Sequence, residues 1–166
     1  QYYDCRFDNA QFIEGHRSSY LFNSSIQDID EADAILLVGT NPRWEATVLN
    51  ARIRKSYINN NCKIGLIGPK FDLTYKYDCL SDNLTYLNEI LAGKSHFTDI
   101  LQNAKKPMII IGTSAINFEG GKDILRICSE IANKYNIINE TFNGLNILQQ
   151  NISRVGSLDI KFYNNN

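Results

Sequence analysis

The sequence predicts an α/β protein of the Rossmann-like class, with three layers and a mostly parallel sheet. Three short apolar runs, rich in β-branched residues and each followed by a glycine, carry this prediction: Ala34–Val38, Lys63–Ile67 and Pro107–Ile111. Apolar runs that do not alternate with polar residues are typical of strands buried on both faces, as in a parallel sheet. Stretches of helical spacing separate the runs, and strands that alternate with helices form right-handed βαβ units.

Four segments have apolar residues at spacings of three and four, which predicts amphipathic helices. The first spans residues 43–58, directly after the first strand. The second runs from Leu84 to Leu91 and is stopped by Gly93. A short third helix lies around residues 97–101, and a fourth covers residues 122–134.

The two ends of the chain show no clear period, and residues 1–31 and 136–166 are therefore predicted to be irregular flanks. Three strands are few for a stable open sheet, where about five or six are typical. The chain begins at Gln1 and carries no targeting signal. We therefore expect residues 1–166 to be a single but incomplete domain, an internal piece of a longer protein.

The bulk composition excludes several kinds of partner. The net charge is −1 and 43% of the residues are hydrophobic. The chain therefore has no excess of basic residues that would bind nucleic acid or an anionic membrane. No run approaches the roughly 20 consecutive apolar residues of a spanning helix. We expect no nucleic-acid partner and no direct membrane insertion.

Common catalytic and metal-binding motifs are absent from the sequence. Gly93-Lys94-Ser95 imitates the end of a phosphate-binding loop, but Asn88 stands where that motif requires its first glycine. No GxGxxG occurs, and neither histidine lies near a Gly-x-Ser-x-Gly elbow. The acidic run 28–31 is interpreted as solvated. The cysteines are interpreted as reduced and structural, because no CxxC or Cys/His cluster joins Cys5, Cys62, Cys79 and Cys128.

The corner Gly39-Thr40-Asn41-Pro42, between the first strand and the first helix, is the candidate site. Gly39 can adopt the positive φ that a sharp turn requires. Thr40 or Asn41 can cap the helix, and Pro42 suits its first position. Glu45 lies in the first turn, where a carboxylate complements the positive end of the helix dipole. Helix initiation alone explains each of these residues.

A ligand would use the same physics, because free N–H groups at a helix start bind anions. Thr113 and Ser114 belong to a second corner of the same kind, which follows a later strand. Two such corners can flank one crevice at the carboxyl edge of a parallel sheet. From these residues alone, architecture and a ligand crevice both remain open.

Four residues of the first helix are candidates for an interface. Arg52, Arg54 and Lys55 make the helix basic, which also suits a solvated face with cations near its C-terminus. Trp44 is the only tryptophan and lies in the first turn. It is either a core or lid residue or an interface anchor.

A resemblance to a known family extends over most of the chain, from Arg17 to Asp159. It is carried, in order, by the stretches EADAILLVGTNPRWEATVLNARIRKSY, KIGLIGPKFDLTYKYDCLSD, AKKPMIIIGTSA and NGLNILQQNISRVGSLDI. These stretches resemble the C-terminal region of the large iron–sulfur subunit of respiratory complex I. That region is in turn similar to molybdopterin oxidoreductases, so the resemblance implies part of a molybdopterin-oxidoreductase-like α/β domain.

The resemblance also bears on the candidate site. In the molybdenum enzymes of this superfamily, a strand followed by Gly-x-Asn-Pro-x-Glu contacts the pterin–nucleotide cofactor. The resemblance assigns Gly39, Asn41, Pro42 and Glu45 of this chain to that pattern. Where the superfamily often continues with a His-Pro-like step, this chain reads Ala-Thr-Val. The corresponding complex I domain is regarded as structural. The resemblance thus implies no catalytic, metal or cofactor-binding residue here, and a vestigial crevice formed by Gly39, Thr40, Asn41, Glu45, Thr113 and Ser114.

The implied role is scaffolding within the peripheral arm that carries electrons from NADH to ubiquinone. The implied partners are the rest of the subunit, whose N-terminal part would hold iron–sulfur clusters, and other hydrophilic subunits of the complex. The implied location is the matrix face of the mitochondrial inner membrane or, alternatively, the cytoplasmic face of a bacterial plasma membrane. Two other functions remain open: a piece of an active, formate dehydrogenase-like molybdopterin oxidoreductase, and a nucleotide-binding module.

Overall fold

The computed structural model of the chain describes residues 9–162, and within them five parallel strands form one sheet. The sheet order is β3-β2-β1-β4-β5. The three predicted strands are confirmed, with one additional residue in β4. The strands are β1 (Ala34–Val38), β2 (Lys63–Ile67), β3 (Asp78–Ser81), β4 (Pro107–Gly112) and β5 (Leu145–Leu148).

The predicted helices are present, but the first one is divided in two. The backbone of Ala46 has φ −153°, which interrupts the helix after a single turn. The helices are α1 (Ile26–Glu31), α2 (Pro42–Glu45), α3 (Thr47–Asn60), α4 (Leu87–Leu91), α5 (His96–Asn103), α6 (Gly121–Lys134) and α7 (Arg154–Asp159). Among the described residues, no helix is long and apolar enough to cross a membrane.

Helices cover both faces of the sheet, which confirms the predicted three-layer Rossmann-like fold. Successive residues of β1 point to opposite faces and are all fully buried. Ile35 and Leu37 pack into the core shared with α1 and α3. Leu36 and Val38 pack into the core shared with α4, α5 and α6. Burial on both faces is the reason that this strand reads as one continuous apolar run.

Two of the strands lack the apolar run that revealed the others. β3 lies at the edge of the sheet and begins with the exposed residues Asp78 and Cys79. β5 contains Asn146, which is fully buried. Its side chain donates to the Ser24 hydroxyl at 3.0 Å and accepts the Ser24 N–H at 2.8 Å. A polar residue whose partner is 122 positions away breaks the local pattern without disturbing the strand.

Regular elements occur in both stretches that the sequence predicts to be irregular. β5 and α7 lie within residues 136–166, and α1 lies within residues 1–31. The period of α1 is hidden because the helix is only six residues long and starts with a capping box between Ser25 and Asp28. The outer parts of these stretches, residues 1–8 and 163–166, lie outside the described residues.

The acidic run at 28–31 is paired, and its interpretation as solvated acid is wrong. Asp28 caps α1. One oxygen of Asp30 accepts Arg52 at 2.8 Å and Lys55 at 2.7 Å. These cations lie on α3, 22 and 25 positions away, so the pairing fastens α1 to α3 and is not visible in the local sequence.

Candidate functional site at the carboxyl edge of the sheet

The order of the strands places the two predicted corners side by side. From β1 the chain adds β2 and β3 on one side, and from β4 it adds β5 on the other. The direction therefore reverses between β1 and β4, where Val38, the last residue of β1, is in register with Ile111 of β4. The carboxyl end of such a switch point is where ligands bind in open α/β sheets.

At the first corner, Gly39 has the positive φ that was predicted, +54°. Its N–H donates to the carbonyl of Ile67 at 2.8 Å, which joins the corner to β2. A Cβ atom at this position would lie 2.6 Å from the Cβ of Ala115, closer than real Cβ contacts. Gly39 therefore has two functions, since it makes the turn and it lets the segment after β4 approach the backbone.

The start of α2 is held by a side chain from inside the helix and not, as predicted, by the side chain of the residue before it. The side chain of Asn41, the residue before the helix, makes no capping hydrogen bond. Instead the Glu45 carboxylate reaches back and accepts the Asn41 N–H at 2.8 Å and the Thr40 hydroxyl at 2.9 Å. The chain's own carboxylate thus occupies the N–H group and the hydroxyl that an anionic ligand would use.

The second corner touches the first without a gap. A Cβ at Gly112 would lie 2.4 Å from the Gly39 carbonyl oxygen and 2.7 Å from the Thr40 Cβ. The Ser114 hydroxyl donates to that same carbonyl oxygen. Thr113 is buried beside it. The residues predicted to line a crevice are brought together, but they are in contact with one another across the switch point.

The side-chain oxygen of Asn41 is a polar atom of the corner that has no hydrogen-bond partner among the described residues. The Asn41 side chain is 9% exposed, and its carbonyl oxygen makes no hydrogen bond to any described residue. An acceptor left without a donor in a buried position is costly and requires an explanation. It is the one feature of the corner that favours a hydrogen-bond donor from outside the described residues.

The interface candidates divide into an exposed tryptophan and three cations, two of which pair with a carboxylate within the fold. Trp44 is 80% exposed, so it is not a core residue. The ammonium of Lys55 and the guanidinium of Arg52 both hold the pKa of Asp30 below its ordinary value, against the opposing effect of desolvation. Arg54 is exposed and has no ion pair with a described residue. The basic face is therefore less charged than the sequence suggests.

The cysteines that the structure describes are free thiols. Burial raises the pKa of both the Cys62 and the Cys128 thiols to about 12. Protonated, buried thiols are poor ligands and poor nucleophiles. Within residues 9–162, no three His, Cys, Asp or Glu side chains form a metal-binding group.

A family model described as molybdopterin oxidoreductase matches residues 1–166. The chain therefore belongs to the molybdopterin oxidoreductase family.

Several curated relatives are named as parts of NADH-ubiquinone oxidoreductase or NADH dehydrogenase [ubiquinone]. The chain is 42% identical over 148 residues to the mitochondrial NADH-ubiquinone oxidoreductase 78 kDa subunit of Neurospora crassa, covering 88% of this chain and 20% of that protein. It is 39% identical over 160 residues to the mitochondrial NADH dehydrogenase [ubiquinone] iron-sulfur protein 1 of Solanum tuberosum, covering 92% and 22%. It is 38% identical over 153 residues to the NADH-ubiquinone oxidoreductase 75 kDa subunit of Reclinomonas americana, again covering 92% and 22%. The chain spans about a fifth of the length of these relatives.

The family implies a pterin cofactor, and the residues at the corner do not fit one. Two residues separate Pro42 from Glu45, one more than the pattern Gly-x-Asn-Pro-x-Glu has, so the assignment of Glu45 to that pattern is inexact. Glu45 uses its carboxylate on Thr40 and Asn41. A phosphate at this place would lose the Asn41 N–H and meet a like charge, which opposes its binding.

Proposed function

We propose that the chain is the molybdopterin-oxidoreductase-like region of the large iron–sulfur subunit of respiratory complex I, and that it is structural. The parent would be part of the proton-translocating NADH:ubiquinone reductase, whereas this region would carry no catalytic residue and no cofactor. Iron–sulfur clusters would belong to the N-terminal part of the parent subunit. The names of the relatives from Neurospora crassa, Solanum tuberosum and Reclinomonas americana support this assignment.

The observation that carries the structural role is the closure of the corner by Glu45. Its carboxylate accepts from both Thr40 and Asn41. The Ser114 hydroxyl closes the other side by donating to the Gly39 carbonyl. A corner in which the Asn41 N–H and the hydroxyls of Thr40 and Ser114 are bonded to its own chain supports the fold without a ligand. We therefore regard Gly39, Thr40, Asn41, Glu45, Thr113 and Ser114 as a vestigial crevice.

The proposed partners are the remainder of the same subunit and neighbouring hydrophilic subunits. Trp44 and Arg54 are the contacts that the geometry favours, because both are exposed and neither is used within the described fold. Arg52 and Lys55 contribute less, since both already pair with Asp30 within the fold. The proposed location is the matrix-facing peripheral arm of the mitochondrial complex; in a bacterium it would be the cytoplasmic face of the plasma membrane.

Two measurements test this proposal. Affinity purification of a tagged parent polypeptide is expected to recover NADH:quinone oxidoreductase activity and the other hydrophilic subunits. Metal analysis and cofactor extraction of purified residues 1–166 are expected to give no molybdenum, pterin or iron. Stoichiometric amounts of any of them would contradict the structural role.

A nucleotide-binding module is the second candidate, and the unpaired oxygen of Asn41 is the observation that favours it. A thermal shift measurement with a panel of purine nucleotides distinguishes the two. Tight binding at a concentration of about 100 times the Kd would stabilise the fold by about 2.7 kcal/mol and raise its Tm by several degrees. The structural role predicts no shift. Asn41→Leu is the matched variant, because it keeps the approximate shape of the side chain but removes the unpaired oxygen, and it would abolish a shift that depends on that oxygen.

A further inference from the structure

The outer face of α3 carries an apolar stripe directly opposite its buried face. The buried residues of α3 are Leu49, Asn50, Ile53 and Ser56. At 100° per residue, a second set of side chains falls on the far side of the helix with spacings of three, four and three. This set, which we name the outer seam, consists of Val48, Ala51, Lys55 and Ile58, all of them exposed.

The outer seam differs from the scattered apolar residues that every protein surface contains. Val48 is 73% exposed and Ile58 is 63% exposed, although both are β-branched hydrophobic residues in a regular helix. Trp44, one turn earlier in α2, is 80% exposed. Spacings of three and four along one face are those by which helices pack on one another.

The seam carries little charge that would favour its exposure to water. Lys55 is its single charged residue, and its ammonium is 2.7 Å from an Asp30 oxygen. Arg54, next to the seam, is the one cation of α3 that has no ion pair with a described residue. The surface that covers the seam would therefore be apolar along its centre and would carry a carboxylate facing Arg54.

We infer that the outer seam is the docking surface for a helix of the same large subunit that lies outside residues 1–166. This inference rests on the proposed function. The chain corresponds to 20–22% of the length of its relatives, so most of such a subunit would lie outside it and would be available to cover α3. The partner is an amphipathic helix with an apolar stripe and an acidic flank.

A second copy of the chain fits the seam less well. In a symmetric pair, the same patch faces itself. The middle of α3 would then bring Arg54 of each copy near the basic part of α3 in the other copy. Among the described residues, Asp30 is the carboxylate that pairs with cations of α3, and it is already bonded to Arg52 and Lys55. Like charges placed opposite one another favour a different, acidic partner.

Thiol labelling in the intact complex tests the inference. The variants V48C and I58C are made in the full parent subunit with Cys5 and Cys79 replaced by serine, and the complex is purified and treated with a maleimide. Labelling at position 48 or 58 is measured by mass spectrometry of the peptide that contains it. It is expected to be at least about tenfold slower in the native complex than after denaturation, because the seam is covered. The matched control is K122C, since Lys122 is exposed on α6, on the other side of the sheet.

A photoactivatable phenylalanine analogue, incorporated at position 48 during synthesis of the parent subunit, identifies what covers the seam. Cross-links to peptides of the same subunit outside residues 1–166 support the inference. Cross-links to a different subunit or to a second copy would overturn it, as would labelling of V48C as fast as in the denatured protein. The proposed function fails separately, namely if the parent polypeptide purifies apart from the complex.

Discussion

At the residue scale, the candidate site is governed by single atoms at Gly39 and Glu45. The missing Cβ of Gly39 permits both the turn and the approach of Ala115. The Glu45 carboxylate, one helical turn along, uses the donors that the turn leaves free. These two residues explain how a corner with the geometry of a binding site can be closed by its own chain.

Gly39→Ala tests the closure of the corner directly. The positive φ costs about 1–2 kcal/mol for a residue with a Cβ, and the overlap with Ala115 adds about 1–3 kcal/mol. The free energy of unfolding in urea is the measurement. Gly93→Ala is the control, because Gly93 has φ +77° but nothing within 4 Å of the added carbon. If both variants lost the same free energy, the contact with Ala115 would be unimportant.

At the element scale, helices are fastened to the sheet and to each other by a few side chains. Phe97 of α5 is fully buried and lies over Gly65 of β2, where a Cβ would be 2.9 Å from its ring. A glycine in the middle of an apolar strand therefore makes room for an aromatic ring. On the opposite face, Asp30 fastens α1 to α3 through Arg52 and Lys55.

Phe97→Ala is expected to lower the free energy of unfolding by about 3–5 kcal/mol, because it leaves a cavity between α5 and β2. Phe118→Ala removes the same atoms from a side chain that is 46% exposed, and a loss below about 1 kcal/mol is expected. Both values come from chemical denaturation of the purified chain. Equal losses of unfolding free energy in the two variants would mean that the packing of α5 on Gly65 does not contribute to stability.

Asp30→Asn is expected to weaken the dependence of stability on acid pH. Lys55 and Arg52 hold the pKa of Asp30 below its ordinary value of 3.8. A carboxylate with a lowered folded-state pKa stabilises the fold above its unfolded-state pKa, and this contribution is lost as the pH falls through the folded-state pKa. Wild-type stability should therefore fall more steeply than that of D30N between about pH 5 and pH 2.

The matched control for this pH experiment is Asp82→Asn. Asp82 is exposed and forms no ion pair with a described residue. Its urea midpoint should follow the wild-type curve across the same pH range. A D30N variant with the full wild-type acid slope would show that the link between α1 and α3 does not contribute to stability.

At the scale of the whole molecule, the sheet order determines which segments can meet. The reversal between β1 and β4 brings together corners that are more than 70 residues apart in the chain. It also leaves α3 on one face of the sheet and α6 on the other. One helix can thus serve the inner core with one side and a neighbouring layer with the other.

Thiol reactivity reports on the integrity of both cores at once. Cys62 and Cys128 belong to opposite faces of the sheet, and burial raises the pKa of each thiol to about 12. In a C5S background at about pH 8, only Cys79 is expected to react with Ellman's reagent in the native protein. Urea should release the other two thiols together in one transition. Early release of one thiol would show that the two faces unfold separately.

Much of the fold is visible in local patterns. The three central strands are apolar on both faces, so they appear as continuous runs, and the position of Gly39 follows from the turn that it must make. β5 was missed because Asn146 finds its partners in the distant segment at Ser24. At the site, the corner residues were predicted but the direction of the cap was not. Glu45 accepts the Asn41 N–H from inside the helix, whereas the predicted cap would have accepted N–H groups of the first turn with the side chain of Thr40 or Asn41.

The order of residues alone is sufficient for the fold class, the central strands and the position of both corners, because periodicity and turn chemistry are local properties. The tertiary structure decides whether the corners enclose a space, and here Ala115 and Ser114 fill it. It also decides which charges are free, since Asp30 pairs with two of the three cations of α3. Both outcomes depend on contacts between segments that lie far apart in the chain and are brought together only by the sheet.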